Sequence, residues 1–276
     1  MELGIFCRIF ARPSLAQTLD ALAASGLRAV QFHLTSAGLP ELPDEISPQA
    51  AAEICQAFKA RGLHMAAVSG TYNMIHPDPL IRQQGLNRLQ VLAAACPQLG
   101  TSLITLCSGT RDPANMWHRH PDNSTPAAWR DLLDSLTPAL EAAEANRVTL
   151  AFEPEPGNVI DRARKGRRLL DELRSPYLKV VMDAANLIHP GELGRMPELF
   201  DEAFDLLGAD VALAHAKDLA PDGRVVAAGK GLVDYDHFLD LLHAVGFSGA
   251  VILHSLDESE VPGSLELLMG KRNFFT

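Results

Sequence analysis

Eight short apolar runs alternate with longer, helix-patterned segments along the whole 276-residue chain. The runs cover residues 3–9, 27–34, 64–70, 102–109, 148–154, 178–184, 211–218 and 250–255. Several of the intervening segments begin at a Ser, Thr or Asp that can cap a helix and end at a Gly, as residues 14–26 and 47–62 do. Eight strands, each followed by a helix, in about 250 residues are typical of a (β/α)8 TIM barrel. The alternation therefore predicts this α/β fold.

One domain over residues 1–276 is the predicted organisation. The chain has no Pro/Gly/Ser-rich linker, no low-complexity tract and no shift in composition. The competing α/β arrangement, an open doubly wound sheet, favours fewer strands and a glycine-rich first turn. Neither GxGxxG nor GxxxxGK[ST] occurs in the sequence. The barrel remains the preferred architecture.

Charge and composition limit the classes of partner. Asp and Glu outnumber Lys and Arg by 34 to 24, a net charge of −10, which argues against a nucleic-acid-binding protein. No apolar run approaches the roughly 20 residues of a membrane span, and the first residues do not resemble a signal peptide. The four cysteines are widely spaced and form no metal-binding motif, which indicates reduced thiols. We expect a cytoplasmic protein with no membrane or nucleic-acid partner.

The ends of the last four predicted strands carry side chains that can bind a metal. The active site of a TIM barrel lies at the carboxyl ends of its strands. The strands predicted within runs five to eight end at Glu153, Asp183, His215 and His254, respectively. Each alone could be a satisfied core histidine, a helix cap or a solvated loop residue. Four on consecutive strands favour a divalent-metal site, because Glu, Asp and His are suitable ligand types.

Further polar residues fall near the same predicted end of the barrel. Trp117 lies in the long loop after the fourth run and suits a lid over a small polar substrate, although an ordinary surface loop fits equally well. The basic residues between 162 and 168 have helical spacing and indicate a solvated helix face. The residues predicted to bind substrate are Arg8, Asn73, His76, Arg111, Trp117, His118, Glu155, Asn186 and Lys217.

The chain resembles a known family over nearly its whole length, most specifically in four stretches. They are LAFEPEPGNV, VVMDAANLIHPG, LAHAKD followed by GKGLVDY, and GFSGAVILHS. They are similar to the xylose-isomerase-like TIM barrels, specifically the sugar phosphate isomerase/epimerase group that includes ketose 3-epimerases, hydroxypyruvate isomerase and inosose dehydratase. Members hold one divalent ion, typically Mn²⁺, Co²⁺, Mg²⁺ or Zn²⁺, with Glu, Asp, His and a second Glu. The first three ligands correspond to Glu153, Asp183 and His215, whereas the fourth position is His254.

The resemblance implies a metal-dependent isomerase or epimerase that acts on a small sugar, sugar acid or sugar phosphate through an enediolate. It assigns Glu153 as the base that removes the proton next to the carbonyl. The second proton carrier would be His254, or else Glu258 or Glu155. His254 can serve as ligand or as proton carrier, less easily as both, because a metal would occupy its acceptor nitrogen. Many relatives are dimers or tetramers, which implies a homo-oligomer.

Three other functions remain open at the level of sequence. A lyase of the inosose-dehydratase type would use the same metal and base. The change at His254 supports a barrel that has lost catalysis and only binds a ligand, but the other three ligands and the polar lid residues rank this function below the enzyme. Phosphodiester hydrolysis of the endonuclease IV type would require a metal cluster and a basic surface, and the net charge argues against it.

Overall fold

A computed structural model describes residues 1–271 and 274–275 and contains a closed barrel of eight parallel strands. The predicted (β/α)8 fold is thereby confirmed. Neighbouring strands around the barrel follow chain order, and the last pairs with the first through residues such as Leu253 and Ile5. The barrel strands are β1 (Glu2–Phe6), β2 (Ala29–Phe32), β3 (His64–Ser69), β4 (Leu103–Cys107), β5 (Thr149–Glu153), β6 (Leu178–Asp183), β7 (Val211–Ala216) and β10 (Ala250–Leu253).

Helices pack around the outside of this barrel, and one small hairpin lies beyond its seventh strand. The hairpin strands, β8 (Asp218–Leu219) and β9 (Val225–Val226), pair antiparallel. The α-helices are α1 (Leu15–Ala24), α2 (Pro48–Lys59), α3 (Pro79–Leu99), α4 (Pro126–Asn146), α5 (Ala163–Leu173), α6 (Met196–Leu207), α7 (Tyr235–Ala244) and α8 (Val261–Met269).

The predicted N-caps are present where the helices begin. The Ser14 hydroxyl accepts a hydrogen bond from the backbone N–H of Gln17, and Ser47 caps α2 in the same way. Pro48 follows at the first helical position, where its missing N–H costs nothing. Local sequence therefore accounts for these helix starts without reference to tertiary contacts.

Side-chain alternation within the strands builds the barrel interior in layers. Successive side chains of a strand point to opposite faces, so residues two apart share a face. An apolar layer fills the barrel with Ala29, Ala67, Leu103, Ala151, Val181, Leu213, Ala250 and Ile252. Two residues further along their strands come polar side chains, namely Gln31, Ser69, Thr105, Glu153, Asp183, His215 and His254. The barrel interior therefore has a layer of polar side chains next to the apolar layer, on its carboxyl-terminal side.

The cysteines and the basic run of α5 have the structural roles that the sequence predicts. All four cysteines are free thiols, and three of them are buried. The basic run of α5 forms ion pairs with acidic neighbours, such as Arg164 with Glu202 and Arg168 with Glu172, as expected of a helix face. Within residues 1–271, no helix combines the length and the apolar character that crossing a bilayer requires.

The loop that follows the hairpin is fixed by one buried carboxylate. Asp218 accepts hydrogen bonds from the backbone N–H groups of Leu219, Gly229 and Val233. A Cβ at Gly231 would lie 2.3 Å from an oxygen of Asp218, so only glycine fits there. Gly229, Gly231 and Val233 of the stretch GKGLVDY are therefore explained by their contacts with Asp218.

Replacing Asp218 with Ala is expected to lower the free energy of unfolding by about 3 kcal/mol, because it leaves three backbone donors without their acceptor. Urea unfolding of the two proteins measures this difference. The control is Asp240→Ala, an exposed position on α7 that should change stability by less than about 0.5 kcal/mol. Equal stability of the two variants would show that Asp218 does not hold the loop.

Candidate metal centre and active-site cavity

Three of the four predicted ligands meet at the carboxyl end of the barrel. Glu153, Asp183 and His215 each offer a ligand atom, and these atoms all lie within 4.8 Å of one another. Nδ1 of His215 is 3.3 Å from Oε2 of Glu153 and 3.5 Å from Oδ2 of Asp183. Strands β5, β6 and β7 are neighbours in the barrel, which places their last inward-facing side chains together.

Hydrogen bonds orient both carboxylates. Oδ1 of Asp183 accepts from the backbone N–H groups of Ala185 and Asn186, at 2.9 and 3.2 Å. The same Asn186 donates its side-chain N–H to Oε1 of Glu153 at 2.6 Å. One oxygen of each carboxylate is thereby occupied, and the other faces His215.

His215 is oriented by a residue on the opposite side of the barrel. Its Nε2 lies 2.7 Å from Oε1 of Gln31, and the Gln31 amide nitrogen donates to Ser69 and Thr105 at 3.2 Å. Because the amide nitrogen is committed to the two hydroxyls, the amide oxygen must accept from Nε2–H. Nδ1 is therefore the ring nitrogen that remains to bind a metal once its proton is lost, and it faces the two carboxylates.

The electrostatics of the cluster follow from its burial and its charges. Burial alone would lower the pKa of His215, but the carboxylates of Glu153 and Asp183 outweigh it and raise the pKa to about 9. For Asp183, burial opposes ionisation, whereas Lys217 and His215 hold the pKa well below its ordinary value. Nζ of Lys217 lies 3.2 Å from Oδ2 of Asp183. Burial and the neighbouring Glu153 raise the pKa of Glu155 to about 8.

The donor set fits a divalent metal. Within the described ranges, Oδ2 of Asp183 and Nδ1 of His215 are buried without a hydrogen-bond partner. Buried polar atoms are normally satisfied, so two atoms 3.5 Å apart that make ion-pair contacts but no hydrogen bond favour a ligand site. Two carboxylates and an imidazole suit Mn²⁺, Co²⁺, Zn²⁺ or Fe²⁺. Glu153, Asp183 and His215 would hold the ion.

Replacing Gln31 with Leu is expected to weaken Mn²⁺ or Zn²⁺ binding about 10- to 100-fold, because the ring of His215 loses the acceptor that fixes its tautomer. Metal titration of the purified variant gives the affinity. Gln31→Glu retains an acceptor for Nε2–H and should bind within about threefold of wild type. A Leu variant with wild-type affinity would contradict this positioning role.

His254 does not join the three ligand atoms. Its ring stacks on that of His215, with centroids 4.9 Å apart and planes 17° apart, and Nδ1 lies 2.6 Å from the hydroxyl of Ser255. Burial lowers the pKa of His254 well below its ordinary value, and the charges of His215 and Lys217 lower it further. The lowered pKa favours the uncharged ring, and the role of His254 as ligand or proton carrier stays a prediction.

A cavity of about 610 Å³ lies over the cluster, within the size range of small-molecule sites. Five of the predicted substrate-binding residues line it: Arg8, Trp117, Glu155, Asn186 and Lys217. Lys217 does so although β7 ends at Ala216, one residue before it. Glu153, His215 and His254 form the floor and wall of the same cavity.

The other four predicted substrate-binding residues do not line the cavity, and they form hydrogen bonds or ion pairs that hold loops in place. Asn73 accepts from the N–H of Thr110, and His76 contacts the carbonyl of Pro113. Arg111 pairs with Asp131 and donates to the carbonyl of Ile75. His118 hydrogen-bonds Asn115. Substrate contact by Asn73, His76, Arg111 and His118 stays a prediction, and these bonds give each a structural role.

The loop that carries Trp117 is attached to the loop that follows β5. Asn158 donates to the carbonyl of Met116 and accepts from the N–H of Gly109. A Cβ at Gly157 would lie 2.2 Å from the carbonyl oxygen of Trp117, so the two backbones approach as closely as glycine allows. The Trp117 side chain is 53% exposed at the cavity mouth. It can contact substrate without being buried in the core.

Comparison with known proteins establishes the family. The chain belongs to the xylose isomerase-like TIM barrel family, which matches residues 19–269. Over 198 residues it is 24% identical to L-ribulose-5-phosphate 3-epimerase UlaE of Shigella flexneri serotype 5b (strain 8401). That match covers 71% of this chain and 65% of the epimerase, just under two thirds of its length.

Solved structures share the fold at low sequence identity. D-psicose 3-epimerase from Clostridium cellulolyticum H10, solved with D-tagatose, is similar with a TM-score of 0.75 and 17% identity over 99% of both chains. The IOLI protein with a bound zinc atom is similar with a TM-score of 0.74 and 15% identity over the full length of both chains. At these identities the likeness establishes the fold.

Proposed function

We propose that this protein is a divalent-metal-dependent epimerase or isomerase of a small sugar, sugar acid or sugar phosphate, acting through an enediolate. The convergence of Glu153, Asp183 and His215 beneath a cavity of about 610 Å³ carries the proposal. The similarity to an L-ribulose-5-phosphate 3-epimerase supports the substrate class, and the zinc atom of the IOLI protein supports a metal.

A bound divalent ion would act as a Lewis acid that polarises the substrate carbonyl. Glu153 removes the proton from the carbon next to that carbonyl, and the electron pair moves onto the carbonyl oxygen to give the enediolate. Asn186 holds Oε1 of Glu153, which fixes the direction of the carboxylate. A positioned carboxylate of this kind accelerates proton transfer by about 10²- to 10⁴-fold.

Glu155 is the group that we assign to return the proton. It lines the same cavity, and its raised pKa of about 8 keeps it largely protonated near neutral pH. Glu258 is paired with Arg12 outside the cavity, which removes it from reach. Lys217 places a positive charge beside Asp183 and Glu153 and can donate a hydrogen bond to a substrate oxygen.

Incubation of the metal-loaded enzyme with a panel of ketoses and ketose phosphates in deuterated water tests the proposal. We expect incorporation of one deuteron at the carbon next to the carbonyl, with formation of an epimer or aldose and no loss of water. A product that has lost water would instead indicate a lyase. Neither exchange nor product, with metal bound and ligand affinity retained, would indicate a barrel that only binds.

A further inference from the structure

We infer that His254 is a positioning residue that stacks against His215, and that the metal centre of this chain has three protein ligands. The inference rests on the metal dependence proposed above. It concerns the one position at which this chain departs from the four-ligand set of the group that it resembles.

The ring of His254 lies between two other aromatic rings. On one side, Phe6 is nearly parallel at a centroid distance of 5.1 Å and an angle of 18°. On the other side, His215 is nearly parallel at 4.9 Å and 17°. The lone pair of an imidazole nitrogen lies in the plane of its own ring. Two stacked, nearly parallel rings therefore cannot both direct lone pairs at one point, and that of His215 faces the two carboxylates.

Backbone geometry holds His254 in this stack. Its N–H donates to the carbonyl of Ala216, which extends the pairing of β10 with β7 by one residue. The next residue, Ser255, has a φ of 55°, a left-handed conformation that is uncommon outside glycine. The turn brings the hydroxyl of Ser255 to 2.6 Å from Nδ1 of His254. Strain of this kind persists where surrounding contacts hold a side chain in place.

The side chain of His254 therefore packs against a metal ligand and does not itself coordinate the metal. His215 is restrained at its edge by Gln31 and across its face by His254, so that Nδ1 stays directed at Glu153 and Asp183. A flat ring without a metal-binding atom should perform this task as well as histidine does.

Metal affinity of three variants, measured with Mn²⁺ and with Zn²⁺, tests the inference. His254→Phe retains a flat ring and should bind within about threefold of wild type, whereas His254→Ala should bind about 10-fold more weakly, as for loss of a group that orients a ligand. His215→Ala, which removes a ligand, should lose at least about 100-fold. The visible absorption of bound Co²⁺ should be the same in His254→Phe and wild type, because the ligand set is unchanged.

Loss of affinity in His254→Phe as large as in His215→Ala would overturn the inference, since it would make His254 a ligand. Wild-type affinity in His254→Ala would overturn it as well, because the ring would then position nothing. Thermal unfolding of each variant separates a lost site from a lost fold. If the wild-type protein binds no metal, the proposed metal-dependent function itself is contradicted. This result is distinct from the two affinity results for the His254 variants, which concern only the role of His254.

Discussion

Replacing Glu153 with Gln is expected to slow deuteron exchange between substrate and solvent by about 10³-fold, as for loss of a general base. Gln has nearly the same shape and can keep the hydrogen bond from Asn186, but its amide cannot take up a proton from carbon. The rate is measured by mass spectrometry of substrate incubated in deuterated water at saturating metal.

Two measurements make the Glu153→Gln result specific. Metal titration of the same variant separates loss of the base from loss of a ligand. Glu144→Gln, an exposed position on α4, should exchange at the wild-type rate. Exchange by Glu153→Gln within tenfold of wild type, at full metal occupancy, would remove Glu153 from the proton transfer.

Replacing Asp183 with Asn is expected to weaken metal binding by at least about 100-fold, more than loss of a residue that only orients a ligand. Oδ1 of Asp183 accepts two backbone N–H groups, so the oxygen of Asn would take that place. Its NH₂ group would then face Lys217 and His215, where the wild-type protein has an oxygen that is ion-paired with Lys217 but accepts no hydrogen bond. A donor in that position cannot coordinate an ion.

Titration with Mn²⁺ and Zn²⁺ measures the effect of Asp183→Asn, and circular dichroism verifies that the variant is folded. The matched control is Asp134→Asn, which is exposed on α4 and should bind as wild type does. Retention of wild-type affinity by Asp183→Asn would show that this carboxylate does not hold the metal.

The sequence predicted those parts of the site that depend on strand periodicity. Each barrel strand is a short apolar run, and Glu153, Asp183 and His215 each lie at or next to the carboxyl end of one, so their convergence follows from the fold. The same rule could have identified Gln31 and Thr105, which lie two residues beyond inward-facing positions of β2 and β4. Neither side chain is charged or a common metal ligand, so the pattern that predicts the metal site does not include them.

Side-chain positions in the loops depend on tertiary contacts that the local sequence does not specify. Asn73 and Arg111 lie in the loops after β3 and β4, where side-chain direction follows no regular period and local hydrogen bonds decide it. The orientation of His254 was also not predictable, because it depends on the left-handed turn at Ser255 and on stacking with Phe6 from the first strand. Both are tertiary features without a signal in the local sequence.

Anomalous diffraction from crystals soaked in Mn²⁺ tests the metal centre most directly. We expect one strong peak per chain, within coordination distance of Glu153, Asp183 and Nδ1 of His215. No nitrogen of His254 should lie within coordination distance of that peak. The absence of a peak there, in crystals soaked in Mn²⁺, Co²⁺ and Zn²⁺ in turn, would contradict the metal-dependent function.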